Sequence, residues 1–207
     1  MKKSKAALIL LTGCGGCAIL LSELAEKLEQ GGWEVKVMPP LYVRLDLAIV
    51  AGYAKTRVQK TLLSKLKDTA DKTIAFGACA SRGAYNLQDK APMEAEAYID
   101  GCPPTINYAE NLLEKILNNK NQTENQSVCL ECAANQNLCL LKDGLTCLGP
   151  ITKAGCNGLC TKNHKGCLGC MGVLNRSKAG KYLRLMGKKH GPRIRKQKEI
   201  YLGEGLL

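Results

Sequence analysis

Twelve cysteines constrain this chain more than any other feature of its sequence. Four lie in the first half and eight crowd into the second half, between Cys129 and Cys170. The start "MKKSKAALILLTGCGG" runs from a short apolar stretch into CGGC rather than into a cleavage site, and no stretch is long enough to span a membrane, so we expect a cytoplasmic protein. Because the cytosol keeps thiols reduced, the cysteines indicate metal binding rather than structural disulfides.

The first 117 residues alternate between predicted strands and helices. Apolar runs that end in glycine, proline or cysteine predict strands at 6–13, 33–39, 46–52 and 72–79. Apolar residues at helical spacing predict helices at 18–30, 56–66 and 105–117. This alternation predicts an α/β fold with a parallel, doubly wound sheet.

Four cysteines fall where this sheet would bring its strand ends together. Cys14 and Cys17 follow the first predicted strand, Cys79 ends the fourth, and Cys102 opens the last helix. Ligands of such sheets sit beyond the carboxyl ends of the strands, so we expect these four thiolates to converge. Arg82, close to Cys79 in sequence, could stabilise the negative charge of a reduced metal centre at this edge, but an ordinary solvated charge is the preferred interpretation.

A polar segment at 118–127 is predicted to be a linker, and the remaining cysteines follow it. Many glycines separate them, which lets the backbone approach a metal centre closely. So dense a region has little apolar core, and we expect its metals to hold it together. These eight cysteines are Cys129, Cys132, Cys139, Cys147, Cys156, Cys160, Cys167 and Cys170.

The formal net charge of +12 is concentrated near the end of the chain. Between residues 176 and 198 there is no acidic residue. This basic tail at 176–207 carries no recognisable nucleic-acid motif, and docking on an acidic partner subunit is the preferred interpretation over a solvated extension, nucleic acid or anionic lipid. The basic residues are Arg176, Lys178, Lys181, Arg184, Lys188, Lys189, Arg193, Arg195, Lys196 and Lys198.

Cysteine counting leaves several chemistries open. CGGC alone is compatible with a redox dithiol, although Cys79 and Cys102 on the same sheet edge favour a four-thiolate site. Four thiolates suit either zinc or a cubane iron–sulfur cluster. In the second half, two zinc ions and two cubanes would use the same eight ligands. The zinc alternative, together with the basic tail, would describe a zinc-binding nucleic-acid protein.

Longer motifs carry a family resemblance. "GCGGC", "AFGACASRGAY" and "IDGCPPT" resemble the small subunit of nickel–iron hydrogenases and the related subunit of respiratory complex I, the NADH:ubiquinone oxidoreductase 20 kDa subunit. "CLLKDGLTCLGPITKAGCNGLC" followed by "CLGCMG" resembles the gamma subunit of methanogen-type hydrogenases. The resemblance covers residues 6–172.

The resemblance implies an electron-transfer subunit with three [4Fe–4S] clusters and no catalytic site of its own. A flavodoxin-like domain at 1–117 would hold a proximal cluster, and a small ferredoxin-like domain at 128–175 would hold two more. The implied partners are a large catalytic subunit and a flavin or iron–sulfur electron-transfer subunit, in an anaerobe. The implied proximal ligands are Cys14, Cys17, Cys79 and Cys102.

The division of the eight later cysteines is predicted from the crossover common in ferredoxins. In the crossed arrangement, Cys129, Cys132, Cys139 and Cys170 hold one cluster, and Cys147, Cys156, Cys160 and Cys167 hold the other. The sequential alternative exchanges Cys147 and Cys170 between the two sets.

Two departures from the family pattern support an alternative function. Ala18 follows CGGC where the family usually has a polar residue, and the stretch between Cys17 and Cys79 is short for a hydrogenase small subunit. The alternative is therefore a homologous electron-transfer subunit of a redox complex that is not a hydrogenase.

Overall fold

The computed structural model describes residues 3–39, 43–85, 93–120 and 126–202. The chain forms two compact units, Met1–Glu114 and Lys115–Leu207. Residues 121–125 of the predicted linker and 203–207 of the predicted tail lie outside the described residues.

The first unit is built on a five-stranded sheet in the order β2-β1-β3-β4-β5, with every neighbouring pair parallel. This is the strand order of flavodoxin-like folds, so the predicted α/β class is confirmed. The short β5 was not predicted, because three residues are too few for a visible pattern. The strands are β1 (Lys5–Leu10), β2 (Glu34–Val37), β3 (Leu47–Ala51), β4 (Thr73–Phe76) and β5 (Ala97–Ile99).

Within the described residues of this unit, four helices connect or follow the strands, and three of them were predicted. A capping box explains where α2 begins, because Thr56 accepts a hydrogen bond from the Gln59 backbone and the Gln59 side chain accepts one from the Thr56 backbone. The fourth predicted strand, 72–79, was too long: it ends at Phe76, and Gly77 begins a helix. The helices are α1 (Gly16–Gln30), α2 (Arg57–Thr69), α3 (Gly77–Arg82) and α4 (Ile106–Leu117).

Aliphatic side chains form the core of the first unit. Ile9 and Val50 are fully buried on neighbouring strands and cluster with Leu66 of α2. Leu24 of α1 is buried as well, at the helical spacing that predicted this helix. Burying each such side chain contributes roughly 1.5–3 kcal/mol, so this unit has an apolar core that needs no metal.

The second unit has little regular structure around its cysteines. It contains α5 (Val128–Ala134), a 3₁₀ turn at Gly149–Ile151 and α6 (Leu159–Lys162). Two isolated antiparallel bridges, Ser127 with Lys153 and Thr152 with Val173, tie these segments together. A ferredoxin-like architecture for this unit stays a prediction.

The basic tail forms the longest helix of the chain, α7 (Arg176–Gln197), followed by a π-helical turn at Lys198–Leu202. One stripe of α7 is buried: Ala179, Leu183, Met186 and Ile194. No helix was predicted for this segment, because the charges hide a narrow apolar stripe with helical spacing. None of the helices in the described parts of the chain is long and apolar enough to cross a membrane.

Candidate metal centres

The first unit brings Cys14, Cys17, Cys79 and Cys102 to one edge of its sheet. Cys14 lies in the loop after β1 and Cys17 in the first turn of α1. Cys79 lies in α3 directly after β4, and Cys102 follows β5. Burial raises the pKa of the Cys17 thiol to about 12, and the proximity of Cys79, Cys102 and Cys14 contributes to that rise. These four thiols are therefore close enough to interact electrostatically.

The absence of a side chain at Gly77 allows this close approach. Gly77 has φ +81°, and a Cβ added there would lie 2.5 Å from the Sγ of Cys17. The next residue, Ala78, donates its backbone N–H to the carbonyl of Gly101 at 2.7 Å, which joins the start of α3 to the loop that carries Cys102. Any side chain at position 77 would therefore push Cys17 out of the group.

Arg82 adds a cation beside this group. Its side chain is only 18% exposed and forms an ion pair with Asp100, which is 9% exposed. Burial raises the pKa of Cys79 to about 11, and the Arg82 charge opposes that rise. The interpretation of Arg82 as a solvated charge was wrong, because its partner comes from the loop after β5 and is invisible in the local sequence.

In the second unit, Cys147 lies at the centre of one thiol group. The backbone N–H of Cys167 donates to the Sγ of Cys147 at 3.2 Å. A Cβ on Gly149 would lie 3.4 Å from the Sγ of Cys129 and 3.5 Å from that of Cys147, so the backbone of Gly149 lies beside both sulfurs. Burial raises the pKa of Cys129, and proximity to Cys147, Cys132 and Cys139 adds to the rise.

A second set of contacts between cysteines lies around α6 and includes Cys132 and Cys167 again. The Sγ of Cys132 lies 2.9 Å from the Thr161 hydroxyl and would be 3.2 Å from a Cβ on Gly158. Burial raises the pKa of Cys160, whose electrostatic neighbours include Cys147 and Cys132. Burial also raises the pKa of Cys167, and Cys147 and Cys170 are its neighbouring thiols.

Glu131, within "CLEC", was not predicted as a site residue. Its carboxylate accepts backbone hydrogen bonds from Gly155 at 2.7 Å and Gly158 at 3.2 Å, and lies 3.8 Å from the Cys156 sulfur. Burial raises the pKa of Cys156 to about 11, and the Glu131 charge is the next cause of that rise. The sequence signal for Glu131 was its position between the two cysteines of a CxxC motif. It was not recognised because a charged residue at such a position is ordinarily expected to be exposed to solvent.

Tyr182 of α7 was not predicted as a site residue either. Its hydroxyl donates to the backbone carbonyl of Cys147 at 2.6 Å, which fastens α7 to the thiol group. Burial raises the pKa of this hydroxyl, and Cys147, Cys129, Cys167 and Cys139 add to the rise.

The donor set of twelve cysteines is suited to iron–sulfur clusters. None of these cysteines, all of which lie in the described residues, forms a disulfide. Among residues 3–39, 43–85, 93–120 and 126–202, no group of three or more Cys, His, Asp or Glu side chains is arranged to hold one metal ion. A zinc ion draws its four thiolates to within about 4 Å of each other, whereas a cubane holds them farther apart because its own iron and sulfide atoms fill the centre. The thiols of each group are close enough to interact and have glycine backbone beside their sulfurs, an arrangement that can hold a cubane.

Comparison with known proteins supports the resemblance. Residues 14–116 match the family model described as NADH ubiquinone oxidoreductase, 20 Kd subunit. Sulfhydrogenase 2 subunit delta of Pyrococcus furiosus is 28% identical over 197 residues, covering 78% of this chain and 83% of the relative. The iron-sulfur subunit of the F420-non-reducing hydrogenase of Archaeoglobus profundus is 23% identical over 264 residues, covering 82% of both chains.

Solved structures agree on the fold. A chain of the actinobacterial-type NiFe-hydrogenase from Ralstonia eutropha is similar with a TM-score of 0.56 and 14% identity, covering 83% of this chain and 79% of that one. A chain of the [NiFeSe] hydrogenase from Desulfovibrio vulgaris is similar with a TM-score of 0.50 and 15% identity, covering 83% of this chain and 94% of that one.

Proposed function

Since residues 14–116 match the NADH ubiquinone oxidoreductase 20 kDa subunit family, and hydrogenase subunits are among the relatives of the chain, we propose that this protein is the electron-relay subunit of a nickel–iron hydrogenase. It would carry three [4Fe–4S] clusters in a cytosolic complex of an anaerobe. The observation that supports this most strongly is the convergence of Cys14, Cys17, Cys79 and Cys102 on one sheet edge. When bound, such clusters supply one-electron transfer.

The residues of the chain would set how each cluster is held. Cys14, Cys17, Cys79 and Cys102 would hold the proximal cluster, facing the large catalytic subunit. There Gly77 admits the Cys17 sulfur, and the Arg82 cation favours the more negative, reduced form by electrostatic attraction.

The eight later cysteines would hold the other two clusters, and their partition stays a prediction. The electrostatic neighbours of Cys129 are Cys147, Cys132 and Cys139, which is the set of the sequential arrangement. Cys160 and Cys167, however, both have Cys147 among their electrostatic neighbours, which is the pairing of the crossed arrangement. The hydrogen bond from the Cys167 backbone to the Cys147 sulfur also lies within one set of the crossed arrangement, which we keep as the proposed partition.

The experiment is anaerobic purification of the native complex through a tag on this chain, with nickel analysis and exposure to hydrogen gas. A hydrogenase relay predicts about one nickel per complex and bleaching of the iron–sulfur absorbance by hydrogen. A complex that lacks nickel and is bleached by dithionite but not by hydrogen would contradict the hydrogenase assignment. That outcome would instead support the relay of a non-hydrogenase complex, which Ala18 and the short stretch between Cys17 and Cys79 favour.

A further inference from the structure

We infer that the exposed basic face of α7, beside the exposed thiols of the second unit, is the docking surface for a small acidic electron-carrier protein that binds reversibly. This inference rests on the proposed relay function, because it names the partner that takes electrons from the second unit. It concerns Lys178, Lys181 and Lys188, which no part of the family resemblance covers.

The thiol group nearest α7 reaches the surface of the unit. Cys129 and Cys139 are exposed, whereas Cys147 and Cys167 beside them are buried. Leu130 and Leu138, next to the exposed cysteines in sequence, are themselves 55% and 63% exposed. Exposed ligands flanked by exposed apolar side chains mark an edge where a partner can approach a redox centre closely.

Tyr182 ties this edge to α7. Its hydroxyl holds the Cys147 carbonyl, and Cys129 and Cys139 are among its electrostatic neighbours. Lys178 lies four residues before Tyr182 and Leu185 three residues after it, so both are neighbours of Tyr182 on the helix surface, at the exposed margin of the contact with the thiol group. Leu185 is 63% exposed.

From Lys178 the charges continue onto the solvent-facing side of the helix, opposite the buried stripe. Lys181 lies three residues after Lys178, and Lys188 three residues after Leu185, so the three lysines form one stripe at helical spacing. All three are exposed. Because residues 176–198 contain no acidic side chain, nothing within the helix neutralises this stripe.

An acidic protein fits this stripe better than the other anionic partners do. The apolar stripe of α7 is buried against its own unit, so the helix has no apolar face to insert into a lipid surface. Tyr182, the one aromatic residue of α7, already uses its hydroxyl within the unit, so α7 offers no row of aromatic rings on which bases could stack. A stable subunit interface is depleted in lysine, whereas a reversible encounter steered by charge is rich in it.

One electron passes from the second unit to the redox centre of the carrier protein, so the second unit is oxidised and the carrier is reduced. No covalent bond forms or breaks and no proton is transferred. Dithionite supplies the electrons in the experiment below.

The experiment uses the full chain, purified anaerobically, with an acidic plant-type [2Fe–2S] ferredoxin as the probe carrier. Affinity is measured by titration calorimetry and the rate of ferredoxin reduction by stopped-flow absorbance, at low and high salt. The test variant combines Lys178→Glu, Lys181→Glu and Lys188→Glu. The matched control makes the same charge change on exposed residues of the first unit, with Lys55→Glu, Arg57→Glu and Lys65→Glu.

The wild type is expected to bind and reduce ferredoxin with a rate constant that falls as salt rises. The α7 variant should lower both the affinity and the rate constant at low salt by about tenfold or more, and the control variant should change them much less. Equal losses in the two variants, or no loss in the α7 variant, would overturn the proposal. So would tighter binding of anionic vesicles or RNA than of ferredoxin through the same lysines, or a complex that resists high salt.

Failure of the relay function itself has a different signature. A wild-type chain with no absorbance that dithionite can bleach would contradict the relay. The calorimetric affinity for ferredoxin reports on the docking surface whether or not electrons flow, so the two failures are distinguishable.

Discussion

At the scale of single residues, the candidate centres depend on glycines as much as on cysteines. The Gly77 backbone lies so close to the Cys17 sulfur that a methyl group cannot fit between them. The Gly149 backbone also lies beside two sulfurs, those of Cys129 and Cys147, but an added Cβ there would make only ordinary contacts of 3.4 and 3.5 Å. A thiolate held close to backbone can receive N–H donors and is shielded from water, and both effects tune the potential of a cluster.

Replacing Gly77 by alanine should therefore remove the proximal centre. We expect Gly77→Ala to lose about one third of the iron, since one of the three proposed clusters is affected. Gly32 is the matched control, because its φ of +88° is similar but nothing lies within 4 Å of an added Cβ. Gly32→Ala should cost about 1–2 kcal/mol of backbone strain and keep its iron. Iron analysis and thermal unfolding check both, and equal iron in the two variants would contradict the role of Gly77.

At the scale of elements, side chains from one segment hold the cysteine loop of another. Glu131 of α5 binds the backbone of 155–158, and Tyr182 of α7 binds the backbone of Cys147. The second unit thus replaces sheet pairing with side-chain-to-backbone contacts around its thiols. Each contact also brings a charge or a dipole next to a candidate cluster.

The charge of Glu131 should lower the reduction potential of the cluster that Cys156 is proposed to ligate. Glu131→Gln keeps a hydrogen-bond acceptor but removes the negative charge, so the reduced form becomes less unfavourable. We expect the reduction potential of this cluster to rise by roughly tens of millivolts, and the potentials of the other proposed clusters to change less. Potentiometric EPR measures it, with the exposed Glu23→Gln of α1 as the control. A lower or unchanged potential in Glu131→Gln would contradict this electrostatic role, and the carboxylate would then act only as a hydrogen-bond acceptor for the backbone of Gly155 and Gly158.

At the scale of the whole molecule, the two units are stabilised in different ways. The first has a parallel sheet with fully buried Ile9, Ile49 and Ile74. The second includes cysteines among its own buried residues, with Cys147 and Cys167 clustered against Val128. We therefore expect metal to supply a large part of the folding free energy of the second unit and little of that of the first.

Removal of iron by a chelator under mild oxidation should separate these two behaviours. Backbone amides of 6–10, 47–51 and 73–76 should stay protected from hydrogen exchange, because their sheet is intact without metal. Amides of 126–175 should lose protection. Hydrogen exchange with mass spectrometry measures both regions in one sample, and equal protection of the second region before and after chelation would contradict the metal-dependent fold.

Much of the first unit could be predicted from sequence, because its signals are local. The apolar run that became β1 and the Leu21, Leu24 and Leu28 spacing of α1 are visible within a few residues. Parallel topology then implied that Cys14, Cys79 and Cys102 would meet, although they are far apart in the chain.

What could not be predicted depends on distant partners. The Arg82–Asp100 pair and the Glu131 contacts join segments whose sequences carry no sign of each other. The helical tail was missed for a different reason, since its apolar stripe is narrow and surrounded by lysine and arginine. The partition of the eight later cysteines also depends on three-dimensional proximity, and ligand spacing alone left both arrangements open.

The most direct test of the account is iron and acid-labile sulfide analysis of the anaerobically purified full chain, together with zinc and protein determination. We predict about twelve iron and about twelve sulfide per chain, with brown absorbance that dithionite bleaches. A folded, colourless chain with two or three zinc ions, at about four thiolates each, and no iron would contradict the account.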